Sequence, residues 1–83
     1  MYYVYALKSQ KDLNLYIGFT TDLKERMERH KNGEVLSTKH RRLLKLIFYE
    51  AFINKHDALA REKYLKSGYG KEQLQSILKN ILT

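Results

Sequence analysis

The sequence predicts an α+β fold, an α/β sandwich in which a three-stranded, at least partly antiparallel sheet packs against helices. Two observations support this. Segments rich in aromatic and β-branched residues occur near the N-terminus and again around residues 43–52, and segments of helical periodicity separate and follow them. The expected order is β-β-α-β-α-α. At 83 residues, the chain is expected to form a single domain over residues 1–83.

The first two strands are predicted as a hairpin. Tyr2–Leu7 is rich in strand-forming residues, Leu13–Phe19 alternates apolar and polar, and the polar segment Lys8–Asp12 lies between them. A register with Tyr5 opposite Tyr16 sorts the apolar residues onto one face. The same register places the two phenols side by side on the other face.

A helix and a third strand follow. Asp22 is suited to cap the helix, with Glu25 as the reciprocal carboxylate, and Asn32-Gly33 ends it. The nearly continuous apolar run Leu43–Phe52 predicts a buried third strand.

Two further helices complete the chain. Asn54 caps a helix from about Lys55 to Ser67, which Gly68 and Gly70 are expected to stop. The final helix is predicted to run from residue 71 to residue 82. Its apolar stripe consists of Leu74, Ile77, Leu78 and Ile81.

Composition limits the function classes. The net charge is +7 and there is no cysteine, so disulfides and thiolate metal sites are excluded. No apolar run approaches the roughly 20 residues of a membrane span, and the N-terminus lacks the basic region of a signal peptide. We therefore expect a cytoplasmic protein without a membrane partner. Its charge makes nucleic acid the first partner to consider.

Some residues depart from the expected pattern. Glu62 falls within the apolar stripe of its helix, where a carboxylate is costly unless it is paired, protonated or bound to a metal. It is either a functional group or an edge residue that reaches water or a lysine. Arg26 and His30 form an i, i+4 pair, which is either functional or an exposed arginine beside a half-buried histidine bonded to a carbonyl. The paired tyrosines can equally be structural.

Basic residues cluster in two places. The segment Lys39-His40-Arg41-Arg42 precedes the third strand, and Lys24, Arg29 and Lys31 lie on the first helix. They form either a phosphate-tracking patch or a solvated charged surface. A Gly-rich phosphate loop, a serine–histidine–acid set and a three-residue His/Cys metal spacing are absent from the sequence.

Four elements together resemble the GIY-YIG nuclease superfamily. They are Tyr3-Val4-Tyr5, Tyr16-Ile17-Gly18, Arg26 on the next helix and Glu62 on a later one. The superfamily includes homing endonucleases, restriction enzymes and the incision subunit of bacterial nucleotide-excision repair. The whole chain resembles small stand-alone bacterial members of the excinuclease-C-like type. The first motif differs in having Tyr3 and Val4 in place of Gly and Ile.

The resemblance implies a GIY-YIG-like fold and a DNA endonuclease, with a role in DNA repair. Glu62 would hold one Mg²⁺ or Mn²⁺, weakly without substrate, and Arg26 would bind the phosphate. Tyr5 or Tyr16 would orient and deprotonate the attacking water, and His30 would relay the proton or contact phosphate. Gly18 would let the backbone approach the site. Many members place an asparagine a dozen or so residues after the glutamate, but the window 74–77 here contains none.

Substrate and activity have alternatives at this stage. DNA is the expected partner, with RNA as the alternative, and a protein partner would supply any specificity because the chain has no separate recognition domain. The missing asparagine also leaves a second function open. In that alternative the same fold is a weak or inactive nuclease that binds nucleic acid.

Overall fold

The computed structural model describes residues 1–10, 14–39 and 43–82. It has three strands, β1 (Tyr2–Ser9), β2 (Leu15–Thr20) and β3 (Leu44–Phe52). The helices are α1 (Leu23–Lys31), α2 (Lys55–Lys66), α3 (Gly68–Ile77) and α4 (Lys79–Leu82), and a short 3₁₀ helix spans Leu36–Thr38. The predicted α+β fold is confirmed, and so is the order up to the last helix, which is divided in two.

The sheet has the strand order β2-β1-β3, and both pairings are antiparallel. The central strand β1 is the buried one, since Val4 to Leu7 are at most 1% exposed. The prediction of a buried third strand is wrong, because every residue of β3 is half-buried or exposed. An apolar run is equally consistent with an edge strand whose two faces are each partly covered.

The register of the hairpin also differs from the prediction. Tyr5 lies opposite Gly18, and Tyr16 lies opposite Leu7, a shift of two residues. The shift is even, so each side chain keeps its predicted face. Its physical reason is the Tyr5 ring, which fills the space where a side chain at position 18 would stand. In the predicted register, the Tyr16 side chain would lie opposite Tyr5 and overlap its ring.

Helices cover both faces of the sheet. On one face, Val4 and Ala6 of β1 pack against Ala58 and Leu65 of α2 and Leu74 of α3, all of them fully buried. Tyr5 points to the opposite face, where it contacts residues of α1. β1 thus lies between the apolar core and α1, and its Tyr5 is directed toward the polar groups of that helix.

The predicted starts of α1 and α2 are confirmed. The Asp22 carboxylate accepts the Glu25 N–H at 3.1 Å, and the Asn54 side chain accepts the N–H groups of His56 and Asp57 at 2.8 and 3.2 Å. The Glu25 carboxylate pairs with Arg29. Glu25 therefore forms an i, i+4 ion pair and is not the reciprocal cap predicted for this residue.

The C-terminal boundaries differ from those predicted. α2 ends at Lys66, Ser67 connects it to α3, and Gly68 and Gly70 form the first turn of α3. A Cβ at Gly70 would overlap the Tyr64 carbonyl, so this glycine lets α3 begin against the end of α2. The predicted helix 71–82 is interrupted at Leu78.

The predicted apolar stripe of the last helix is only partly used. Leu74 is fully buried, whereas Ile77 is 56% exposed and Ile81 is 44% exposed. Among the described residues, none of the helices is long and apolar enough to cross a membrane.

Candidate active site

A cleft of about 720 Å³ runs along β2, one of the two edge strands of the sheet. Its walls come from β2, α1, the 3₁₀ helix, α2 and α3. All five residues predicted to be catalytic line it, together with the predicted close-approach glycine: Tyr5, Tyr16, Arg26, His30, Glu62 and Gly18. Residues far apart in sequence therefore share one concave surface.

Tyr5 is the most enclosed member of this group. Its side chain is only 1% exposed, and its ring lies over Gly18. The Oη atom is 2.8 Å from His30 Nε2 and accepts a hydrogen bond from Arg26 Nε at 3.2 Å. Both partners come from the same face of α1, since they are four residues apart. Tyr5 thus connects the sheet to Arg26 and His30 of that helix.

His30 is held from both ring nitrogens. Nε2 faces Tyr5 Oη, and Nδ1 lies 2.8 Å from Thr38 Oγ1. Thr38 Oγ1 in turn donates to the Val35 carbonyl at 3.5 Å. The alternative in which a carbonyl satisfies a half-buried histidine is wrong, because His30 is only 5% exposed and its partners are two hydroxyls.

His30 is neutral at physiological pH. Burial and, as the smaller cause, the nearby Arg26 charge together lower its pKa from 6.5 to about 4. Since Thr38 Oγ1 donates to a carbonyl, the network assigns the proton to Nδ1, which donates to Thr38. Nε2 then accepts a hydrogen bond from the Tyr5 hydroxyl, so each side-chain polar atom of this Tyr5–His30–Thr38 network has a partner.

Arg26 is half-buried at the cleft wall. Its Nε is occupied by Tyr5, and no other described residue bonds to its two terminal amino groups. A guanidinium fixed at Nε presents these groups as a fork of defined orientation. Such a fork matches the oxygens of a phosphate or carboxylate.

Glu62 is the only carboxylate among the described residues that line the cleft. It is 20% exposed, and its Oε2 lies 3.1 Å from Lys66 Nζ, one turn later on α2. The lysine contact envisaged for an edge carboxylate is therefore present. The preceding residue, Arg61, forms a two-pronged pair with Glu50 of β3 at 2.8 and 3.4 Å. That pair links α2 to β3 at the residue before Glu62.

The basic residues predicted to bind nucleic acid lie outside the cleft wherever the structure describes them. Lys24, Arg29, Lys31 and Lys39 are exposed, and Arg29 pairs with Glu25. Lys24 and Lys31 line two other surface grooves that α1 shares with β3. Arg41 and Arg42 lie outside the described residues. The cleft instead receives Lys66 and Lys71.

Comparison with known proteins agrees with this arrangement. A family model described as the GIY-YIG catalytic domain matches residues 1–75. The chain belongs to the GIY-YIG family. This membership confirms the resemblance, and it places the chain among families of nucleases.

Two relatives and one solved structure are similar to this chain over most of their length. The UPF0213 protein CPE1444 of Clostridium perfringens is 42% identical over 93% of this chain and 83% of its own. A UPF0213 protein of Pediococcus acidilactici is 37% identical over 95% of this chain and 83% of its own. The NMR structure of the UPF0213 protein BH0048 from Bacillus halodurans has 36% identity and a TM-score of 0.59, over 93% of this chain and 85% of that one.

GIY-YIG nucleases typically use a divalent metal, and the donor set of the cleft is consistent with one. Among the described residues, no three His, Cys, Asp or Glu side chains cluster to form a metal site by themselves. Glu62 would supply one hard oxygen ligand, and other oxygen-bearing side chains line the same cleft. Mg²⁺ is commonly bound through one or two carboxylates and keeps several waters. The residues therefore fit a single, weakly held hard cation.

Four residues of this GIY-YIG cleft were not identified from the sequence. Lys66, Lys71, Gln75 and Thr38 all line it. Lys66 could have been found from the sequence, because it is four residues after Glu62. Gln75 could also have been found, because it lies in the window where other members have asparagine. No role could be assigned to Thr38 or Lys71 from the sequence, because their places depend on the path of the chain around α1 and on the start of α3.

Proposed function

We propose that this chain is a metal-dependent endonuclease that hydrolyses DNA phosphodiester bonds in the cleft along β2. One observation carries the proposal. Three separate elements, β2, α1 and α2, direct Tyr16, Arg26, His30 and Glu62 to a single cleft, where Tyr5 of β1 contacts the arginine and the histidine. Such a set combines an anion fork, a phenol and a carboxylate, which are the groups that phosphodiester hydrolysis needs.

The charge of the cleft supports a phosphate ligand. Among the described lining residues, Arg26, Lys66 and Lys71 contribute three positive side chains, and Glu62 contributes the single negative one. His30 adds no charge near pH 7 because its pKa is lowered to about 4. The cleft is therefore net positive within a chain of charge +7, which favours a polyanion.

Arg26 is assigned to the non-bridging oxygens of the phosphate. Its Nε bond to Tyr5 orients the guanidinium, and the terminal amino groups remain for two parallel hydrogen bonds. These bonds strengthen as negative charge accumulates on the phosphorus substituents, so they stabilise the transition state more than the bound substrate.

Tyr16 is the phenol assigned to the attacking water. It lies in the cleft wall and is half-buried, whereas Tyr5 is enclosed and its Oη already contacts Arg26 and His30. A general base must reach the proton that it removes, directly or through one water. Tyr5 is thus a positioning residue for the arginine fork.

His30 keeps the Tyr5 hydroxyl in place. Its neutral Nε2 accepts the Tyr5 proton, which leaves the Oη lone pairs available to Arg26. A phosphate at Arg26 would offset part of the charge that lowers the pKa of His30, so His30 becomes a better proton acceptor when substrate is present.

Glu62 is assigned to the metal. A divalent cation there supplies charge for the phosphate and the leaving oxygen. A single protein carboxylate holds such an ion weakly, and we therefore expect tight binding only together with nucleic acid.

Nicking of supercoiled plasmid tests the proposal. The purified protein is incubated with Mg²⁺, Mn²⁺ or EDTA, alongside Glu62→Gln and the control Glu72→Gln, which changes an exposed residue of α3 outside the cleft. We expect metal-dependent nicking by wild type and by the control, and loss of nicking in Glu62→Gln. Equal nicking by all three proteins would mean that Glu62 has no role in it.

The binding-only alternative gives a different result in the same experiment. Plasmid or RNA would shift in a gel at low salt, with no metal requirement and no cleavage products. The isolated carboxylate of the cleft, which Lys66 already contacts, is the observation that favours this alternative. Cleavage of RNA but not of DNA would keep the site and change the substrate.

A further inference from the structure

The Glu62–Lys66 pair joins the only described carboxylate of the cleft to one of its three cations. Lys66 Nζ lies 3.1 Å from Glu62 Oε2, and both side chains line the cleft with Arg26 and Lys71. Among the described residues, neither Arg26 nor Lys71 pairs with a carboxylate. Lys66 is therefore distinguished from the other two cations by its contact with the residue assigned to the metal.

An ammonium group at this carboxylate takes the position in which the carboxylate would coordinate a divalent cation. Both are cations, so they repel each other while they compete for the same oxygens. An i, i+4 pair of this kind on a helix is weak, contributing no more than about a factor of two to an equilibrium constant. Lys66 is also 55% exposed, on a flexible four-carbon stem. Its release from Glu62 therefore costs little.

We propose that Lys66 is an exchangeable counter-ion of Glu62. In the substrate-free protein it neutralises the carboxylate, and when a divalent cation takes the carboxylate it moves to a phosphate oxygen of the bound strand. The inference rests on the proposed function. It makes Lys66 a substrate-binding residue whose position depends on whether Glu62 holds a metal.

An exchangeable counter-ion and a lysine that only stabilises α2 differ in how their removal changes metal and DNA affinity. A lysine that only stabilises α2 would leave metal and DNA affinity unchanged when it is removed. A counter-ion that moves would weaken metal binding while it is present and strengthen DNA binding once it is released.

The metal arm measures Mn²⁺ affinity without DNA, from paramagnetic broadening of amide signals around Glu62. The variants are Lys66→Met, which keeps the stem but removes the charge, and Lys63→Met, which does the same at an exposed residue of α2 outside the cleft. We expect Lys66→Met to bind Mn²⁺ about two- to tenfold more tightly than wild type, because a competing positive charge is gone. Lys63→Met should stay within about twofold.

The DNA arm measures binding of a fluorescent oligonucleotide in EDTA, where no cleavage occurs. Glu62→Gln releases Lys66 without metal, so it should bind about threefold or more tightly than wild type. Adding Lys66→Met to that variant should abolish the gain, whereas adding Lys63→Met should preserve most of it.

The outcomes separate this inference from the proposed function. If Lys66→Met binds Mn²⁺ no more tightly than wild type while Glu62→Gln loses it, the counter-ion is overturned and the metal site stands. If Mn²⁺ broadens no signal around Glu62 in wild type or in Lys66→Met, both are overturned. Equal DNA affinity of the two double variants would overturn the transfer of Lys66 to phosphate.

Discussion

Gly18 lies directly opposite Tyr5 across the β1–β2 pair, and the tyrosine ring fills the space that a side chain at position 18 would need. The Oη at the end of this ring contacts both Arg26 and His30. The glycine of the second motif therefore acts through the tyrosine of the first. It sets the position of the ring and, through the ring, the position of the arginine fork.

Gly18→Ala is expected to destabilise the protein. The new Cβ overlaps Cζ and Oη of Tyr5, and overpacking of an enclosed site typically costs about 1–3 kcal/mol. Urea unfolding measures the change. The control is Gly68→Ala, because no atom lies within 4 Å of that Cβ and alanine favours the start of α3. Its free energy of unfolding should be unchanged or slightly higher, and an equal loss in both variants would contradict the packing argument.

The two tyrosines are expected to differ in their effect on nicking. Tyr16→Phe removes the phenol assigned to the water and should slow single-turnover nicking by roughly 10²–10⁴-fold. Tyr5→Phe removes only the hydroxyl that orients Arg26, and its loss should be smaller, roughly ten- to a hundredfold. Tyr5→Phe should also cost about 1–3 kcal/mol of stability, since His30 Nε2 loses its buried partner. The opposite order of the two rates would make Tyr5 the base.

His30 should make stability depend on pH in a defined window. Its pKa is 6.5 in the unfolded chain and about 4 in the folded protein, so the unfolded state binds the proton first as pH falls. The contribution of His30 to the free energy of unfolding is thus complete above pH 6.5, declines between pH 6.5 and pH 4, and is absent below pH 4. The total loss is about 3 kcal/mol.

Urea unfolding of wild type and His30→Gln at pH 7 and pH 4.5 isolates this term. The carboxylates contribute equally to both proteins, so the difference between the two pH slopes belongs to His30. The slope should be shallower in His30→Gln. Identical slopes would show that His30 is not buried in its neutral form.

The Arg61–Glu50 pair should stabilise the protein more than the exposed Arg29–Glu25 pair. Arg61 and Glu50 are 27% and 33% exposed, whereas Arg29 and Glu25 are 55% and 52% exposed. Arg61→Met is expected to lower the free energy of unfolding by about 1 kcal/mol, and Arg29→Met by less than about 0.5 kcal/mol. Thermal unfolding compares them. Equal losses would mean that the α2–β3 pair does not anchor α2.

Local chemistry made much of the fold predictable from the sequence. Asp22 and Asn54 could be identified as caps because their oxygens satisfy the N–H groups that open a helix. Alternation fixed the face of every residue in the hairpin, yet two registers two residues apart share the same faces. The choice between them depended on a contact between Tyr5 and Gly18 across the sheet. The edge position of β3 likewise depended on tertiary pairing.

The same limit applies to the site. Glu62 could be selected because a charge within an apolar stripe needs an explanation, and Arg26 because it forms an i, i+4 pair with His30. Thr38 could not, because its contact with His30 depends on a loop that returns to α1. The position of Lys71 in the cleft depends on where α3 begins, and sequence periodicity placed the start of α3 three residues too late.

The most direct test of the central claim is the single-turnover rate of Mg²⁺-dependent plasmid nicking by Arg26→Met beside Arg29→Met, at protein concentrations that saturate the plasmid. Both residues are arginines of α1, but only Arg26 lines the cleft. Arg26→Met is expected to nick at least about a hundredfold more slowly than wild type, because it loses charge-assisted bonds made to the transition state, and Arg29→Met should stay close to wild type. If Arg26→Met nicks as fast as Arg29→Met, the cleft along β2 is not where the phosphodiester is cut.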